Sequence, residues 1–353
     1  MTDPGPDPRR EGNLAWCREA VQGVSRTFAI TIDCLEEPMA SWICVGYLLC
    51  RIPDTVEDAG HIPPAEQVRL LESYGDALDP DSEPSIEEFR TGVDPWLPEP
   101  SERNADWAVV AAAPRVVATF EGLDPEAKEA IRPPVDELVS GMARFVDRYA
   151  EAGGLRIETI EELEEYCWYA AGTVGTLITN LLATEARPAR ARTLRANARS
   201  FAMLLQLVNV AKDVAADYEE ENNVYLPATW LREAGVEQDA ITDPRNAPAV
   251  ARVVRRVARH AEGYLDDTQN YLEALPEVRG NTLAAWSIPY LLAVGTLREL
   301  TKRPIDVIRD GGIKVGRAEV GAIVGRFAEG VSRSSLDTIR SQVARGPYQH
   351  SGQ

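Results

Sequence analysis

Apolar residues recur every three or four positions along most of this chain, which places them on one face of an α-helix. The spacing predicts helices over roughly 13–24, 36–58, 65–78, 104–121, 124–151, 158–186, 190–220, 247–274, 280–301 and 317–342. Alternating β-branched runs are short and isolated, so no sheet is expected. The breaks carry turn chemistry. Pro63-Pro64 closes the segment after Asp58, Gly153-Gly154 follows the helix ending near Ala152, and Thr242-Asp243-Pro244 introduces the next. Residues 79–104, rich in Pro, Glu and Ser, read as a surface excursion. No internal repeat and no Gly/Ser linker divides the chain. The expectation is one all-α domain over 13–342, with a disordered Pro/Asp/Arg tail at 1–12 and a polar tail at 343–353.

Charge narrows the partners. The 353 residues carry 37 Lys+Arg against 56 Asp+Glu, a net charge of -19. Nucleic acid and anionic membranes would repel such a surface, so neither is expected as the main partner. Only Lys128, Lys212, Lys302 and Lys314 are lysines; the other basic residues are arginine. A lysine-poor acidic surface suits a halophile's salt-rich cytosol, and a GC-rich genome would also replace Lys by Arg.

Five cysteines (Cys17, Cys34, Cys44, Cys50, Cys167) show no CxxC spacing and read as buried free thiols. His61, His260 and His350 are too scattered for a local zinc site. The N-terminus lacks an apolar stretch after its charges, and no clean span of about 20 apolar residues occurs, so the chain reads as cytoplasmic with at most peripheral membrane contact. Nucleotide-loop, nucleophile-elbow and HExxH patterns are missing.

Two acidic segments change the picture. Arg51, Asp54, Glu57 and Asp58 follow the apolar run Ile43–Leu49, which contains Tyr47. Asp54 and Asp58 are four apart and share a helix face, with Glu57 beside them and Arg51 a turn away. The second segment places Asn209, Asp213 and Asp217 in one i, i+4, i+8 stripe, with Gln206 and Lys212 alongside. A single such pair is usually a solvated face. Two of them, each on an apolar helix and each with its own cation, suit Mg²⁺, which takes carboxylates, waters and phosphate oxygens. The chemistry implied is ionisation of an allylic diphosphate: cations neutralise the leaving pyrophosphate while a dry apolar cavity shelters the carbocation.

These residues resemble the squalene/phytoene synthase family of head-to-head prenyltransferases, over about Trp16 to Val324. Ser25, Arg26 and Phe28 are similar to its early diphosphate-binding segment. Tyr47, Arg51, Asp54, Glu57 and Asp58 fall on its first aspartate-rich motif. Tyr166 to Gly175 resembles its central helix, and Gln206, Asn209, Asp213 and Asp217 fall on its second motif. The segment Trp286–Leu297, with Pro289, Ala293 and Thr296, and the shortened basic segment with Lys314 and Arg317, look most like the squalene synthases within the family.

The resemblance implies an isoprenoid-synthase bundle of helices around a central cavity. It implies metal binding by Asp54, Glu57, Asp58, Asn209, Asp213 and Asp217, and diphosphate contacts from Ser25, Arg26, Phe28, Arg51 and Lys212. Tyr47, Tyr166 and Gln206 would be catalytic, and Lys314 and Arg317 would bind NADPH. The implied reaction joins two farnesyl diphosphates into presqualene diphosphate and reduces that to squalene. The alternatives are a phytoene or dehydrosqualene synthase without the NADPH step, and a non-catalytic relative serving assembly or lipid binding. A polar C-terminus implies no membrane anchor. Two departures stand out. Ala216 replaces a usual Glu, and Asn222-Asn223, after Glu219-Glu220-Glu221, replaces a Gly-rich stretch that usually carries an Arg.

Overall fold

The structure, a computed structural model, describes residues 8–80, 82, 85–276 and 280–349. It is all helical: among the described residues the only β pairing is two isolated bridges, Leu35 with Gly280 and Arg156 with Val224. The single-domain helical bundle expected from the sequence is what forms.

Two helices organise the interior. Pro188–Glu221, 34 residues long, spans about 50 Å at 1.5 Å per residue. It packs on Leu265–Ala274, Thr173–Thr184, Ala247–Glu262 and Thr282–Lys302. Met39–Glu57 is buried along nearly its whole length, consistent with its apolar composition, and packs on Pro125–Arg148 and Thr173–Thr184. The helix Thr173–Thr184 touches both and so sits between the two acidic segments' carriers. No helix among the described residues is long and apolar enough to cross a membrane.

Three interior helices contain proline, and three of the carbonyls those prolines free have a side-chain partner. Proline lacks the N–H that would reach four residues back. Pro53 leaves the Leu49 carbonyl, which accepts from the Tyr74 hydroxyl at 2.9 Å. Pro134 leaves that of Ala130, which accepts from Asn180 Nδ2 at 3.3 Å. Pro289 leaves that of Ala285, which accepts from the Thr31 hydroxyl at 2.9 Å. The helices continue because buried polar groups stay paired.

Several boundaries differ from the periodicity reading. The first helix begins at Pro8, inside the stretch expected to be disordered; residues 1–7 lie outside the described part. A helix at Arg26–Asp33 was not expected; Ser25 caps it, accepting from the Phe28 N–H at 3.2 Å. The excursion at 79–104 contains the short helix Ile86–Val93. The 104–121 helix breaks at Ala112 before Pro114, 247–274 breaks at Gly263, and 317–342 breaks after Ala328 and resumes at Leu336–Arg345. All five cysteines are free thiols, and only Cys34 is less than buried.

Candidate active site

The first acidic segment ends a buried helix. Its apolar residues from Ile43 to Ile52 pack in the core, so the C-terminal turn carries its carboxylates out of a dry interior. Asp54, Glu57 and Asp58 each present an oxygen within 4.8 Å of the others. Burial raises the pKa of all three; repulsion from neighbouring carboxylates adds to it, from Asp58 and Asp54 at Glu57, from Asp54 and Glu221 at Asp58 and from Asp106 at Asp54, where Arg51 opposes the rise, and Glu57 and Asp58 are pushed well above the usual carboxylate range. Three crowded, poorly solvated oxygens fit a hard cation, whose charge would offset both penalties. This acidic cluster can coordinate a metal ion. Arg51 pairs with Asp54 and reaches Asp106 through Nε at 2.8 Å.

The second segment lies on Pro188–Glu221. Lys212 pairs with Asp213. Burial, followed by repulsion from Asp213, raises Asp217 to about 8. Glu221, one more turn along, also rises to about 8, through burial, Asp217 and then Glu57 of the other segment. Asp58 in turn feels Glu221. The two stripes therefore share one electrostatic environment.

They also share a cavity of about 620 Å³. Arg51 and Asp54 border it from one helix, and Gln206, Asn209 and Lys212 from the other. The apolar wall includes Phe28, Phe201 and Trp286. Phe28 stacks on Tyr47 with centroids 4.0 Å apart and meets Trp286 edge-on at 6.0 Å. The central helix is wound as a π turn over Trp168–Gly172 between Ile160–Cys167 and Thr173–Thr184. Such single turns often mark functional sites. A Cβ on Gly175 would lie 2.8 Å from that of Ala202, so glycine there permits the close helix approach at the cavity wall.

Each expected residue has a definite place. Ser25, Phe28, Tyr47, Arg51, Asp54, Gln206, Asn209, Lys212 and Lys314 line the cavity. Glu57, Asp58, Asp213 and Asp217 flank it without being among its lining residues. Tyr166 is buried beside the first segment; its hydroxyl lies 3.5 Å from Glu57 Oε2 and 3.1 Å from the Tyr225 hydroxyl. Arg26 and Arg317 are exposed and outside the cavity lining. Asn223, in the stretch that departs from the family pattern, donates to Glu221 at 3.3 Å and to the Tyr225 hydroxyl at 3.2 Å. Asp106 and Glu221 were not singled out as site residues from the sequence. Glu221 continues the i+4 stripe, but its glutamate neighbours Glu219 and Glu220 mask that position in the sequence; Asp106 had no local signal.

Fold and site together define a helical isoprenoid-synthase-like protein with two acidic segments beside one apolar cavity. The squalene/phytoene synthase family model matches residues 21–319, and the chain belongs to that family. The squalene synthase of Eremothecium gossypii is 28% identical over 298 residues, 83% of this chain and 64% of that protein. The inactive squalene synthase 2 of Arabidopsis thaliana is 26% identical, over 90% of this chain and 71% of that protein. The solved structure of TcSQS with the ligand E5700 superposes with a TM-score of 0.74 at 22% identity, covering 94% of this chain and 97% of that one. A dehydrosqualene synthase with a ligand gives 0.56 at 18% identity, with 95% and 96% covered. At these identities the two structures speak for the fold alone.

Proposed function

We propose that this protein is a squalene synthase, condensing two farnesyl diphosphates head to head into presqualene diphosphate and then reducing it with NADPH. The observation that carries the reading is the single cavity bordered by Asp54 and Arg51 on one helix and by Asn209 and Lys212 on another. Asp54, Glu57 and Asp58, with Asn209, Asp213 and Asp217 opposite, would hold Mg²⁺. When bound, it would neutralise the charge of the departing pyrophosphate.

The chain's own residues would do the rest. Arg51 and Lys212, now engaged by Asp54 and Asp213, would turn to phosphate oxygens once cations relieve those carboxylates. Ser25, which lines the same cavity, would add a contact. Phe28, Tyr47, Phe201 and Trp286 exclude water and present ring faces that stabilise positive charge. Tyr166 and Gln206 would sit near the reacting carbons. Lys314, at the cavity edge, is the basic residue best placed for the nicotinamide cofactor.

A second reading ends the same first half-reaction in proton loss, as in phytoene or dehydrosqualene synthesis. The position of Arg317 outside the lining favours it, because one of two expected cofactor contacts is withdrawn. The decisive experiment incubates the protein with farnesyl diphosphate and Mg²⁺, with and without NADPH, and identifies the hydrocarbon. Squalene formed only with NADPH supports the first reading, and an unreduced C30 polyene in both arms supports the second. No pyrophosphate release would leave a non-catalytic relative, a kind the family contains.

A further inference from the structure

A second feature borders the same cavity from the C-terminal third of the chain. Ile313, Lys314, Val315 and Val320 line it. Residues 311–316 have no helix of their own and run from the end of Asp306–Arg309 to the start of Arg317–Ala328. This strap lies on the second acidic segment. The Ile313 N–H donates to the Lys212 carbonyl at 3.2 Å. Gly312, with φ +137, comes so close that a Cβ there would sit 3.1 Å from that carbonyl and 3.5 Å from Asp213 Oδ1. Only glycine takes this conformation without strain and leaves room for the approach.

The other end of the strap is tied into the core by an ion pair. Arg298, on Thr282–Lys302, donates from both terminal nitrogens to the two oxygens of Glu319, each at 2.8 Å. The two side chains are 3% and 4% exposed. Arg298 also donates to the Val343 carbonyl at 2.7 Å, and Glu319 accepts from the Tyr348 N–H at 2.8 Å. One turn before Arg298, Gly295 lets Val315 approach; a Cβ there would be 3.1 Å from Val315 Cγ2. A buried pair of this kind contributes little net stability compared with apolar replacements, but it fixes geometry through its directed, bidentate bonds.

We propose that Arg298 and Glu319 are positioning residues that seat the 311–316 strap, with Lys314, against the cavity and the Lys212–Asp213 turn, and that the segment around Val343–Tyr348 is the third leg of that anchor. Neither side chain lines the cavity. The effect on activity rests on the function proposed above; the effect on the strap does not.

Endoproteinase Lys-C offers a direct readout, because the chain has four lysines and Lys314 lies on the strap. The double variant Arg298→Met/Glu319→Leu replaces the pair by apolar groups and avoids a stranded buried charge. Cleavage after Lys314 is expected to be at least about tenfold faster than in the unmodified protein, since proteolysis follows the population of the locally open state. Cleavage after the exposed Lys302 should be unchanged. kcat/KM for pyrophosphate release from farnesyl diphosphate should fall about tenfold, and Glu319→Gln, which keeps an acceptor for Arg298 and Tyr348, should recover much of it. Unchanged cleavage at Lys314, or equal acceleration at all four lysines, overturns the proposal. Should the variants not fold, hydrogen exchange in the unmodified protein decides. The Ile313 and Tyr348 amides should be protected and open together across a denaturant series, and an Ile313 amide exchanging like free loop refutes the anchor. If the unmodified protein releases no pyrophosphate, the proposed function fails while the cleavage and exchange results still stand.

Discussion

The hydroxyls of Tyr166 and Tyr225 lie 3.1 Å apart, and Tyr166 also comes within 3.5 Å of Glu57. Burial, with Glu57 next in importance, pushes both phenols well above their usual pKa, so both stay protonated at any working pH. A protonated, positioned hydroxyl beside the first acidic segment can donate a hydrogen bond to developing negative charge or guide a proton. Tyr166→Phe is expected to lower kcat by about 10²-fold, the lower end of what a placed acid–base group contributes. Tyr225→Phe, acting only through its partner, should cost about tenfold or less, because one hydrogen bond to a neutral group is worth roughly 1 kcal/mol. Steady-state pyrophosphate release checks both, and a Tyr225→Phe loss equal to that of Tyr166→Phe would contradict the ordering.

Asp54→Asn and Asp213→Asn separate metal binding from folding. Each removes a carboxylate and keeps the shape. Asp54→Asn relieves repulsion with Glu57 and Asp58, so the melting temperature of the metal-free protein should not fall. Turnover should drop by about 10²–10³-fold in each, comparable to losing one preorganised electrostatic contact to the transition state. Near-normal rates in either purified variant would refute the metal assignment.

Metal and pH should act on stability together. Asp217 and Glu221 are raised to about 8, whereas unfolded carboxyls titrate near about 4. Between those values the folded state holds protons that the unfolded state has released. The unfolding free energy of the metal-free protein therefore falls as pH rises through that window and levels off above about 8. Mg²⁺ competes with those protons and should raise the melting temperature more at pH 8 than at pH 6. Glu221→Gln should flatten the pH slope without Mg²⁺. A metal-free protein that gains stability from pH 6 to 8 would contradict the crowding of these carboxylates.

How much of this was legible in the sequence depends on distance along the chain. The i+4 spacing of Asp54 and Asp58, and of Asn209, Asp213 and Asp217, is a local signal, and it placed both segments on helices correctly. The long apolar helices were visible because each makes several turns of regular pattern. Arg26–Asp33 escaped because eight residues give barely two turns. Ile86–Val93 escaped because its flanks carry the Pro and Ser of a loop. Asp106 could not be linked to Arg51, nor Tyr225 to Tyr166, because those pairs exist only once distant helices pack. Glu221 sits in a run of three glutamates, where its stripe position is masked by like neighbours. Arg26 and Arg317 carry the right charge, but local sequence does not say that they are exposed and outside the cavity lining.

The proline carbonyls give a test of the scaffold that is read by stability and needs no activity assay. Tyr74 is fully buried, and its hydroxyl is the partner of the Leu49 carbonyl that Pro53 leaves free, one residue before Asp54. Tyr74→Phe strands that carbonyl and should cost about 1–3 kcal/mol, the desolvation penalty of a buried unpaired group. Pro53→Ala restores an N–H within reach of the same carbonyl. In the double variant Tyr74→Phe/Pro53→Ala the loss from Tyr74→Phe should therefore shrink, giving a coupling of about 1 kcal/mol in a double-mutant cycle. Thr31→Val should behave like Tyr74→Phe at the Ala285 carbonyl, with Pro289→Ala as its partner, since the Thr31 hydroxyl lies 2.9 Å from that oxygen. Urea unfolding midpoints measure the cycle. Strictly additive effects at both sites would mean that the freed carbonyls are satisfied some other way, and that these hydroxyls do not support the helices that carry the site.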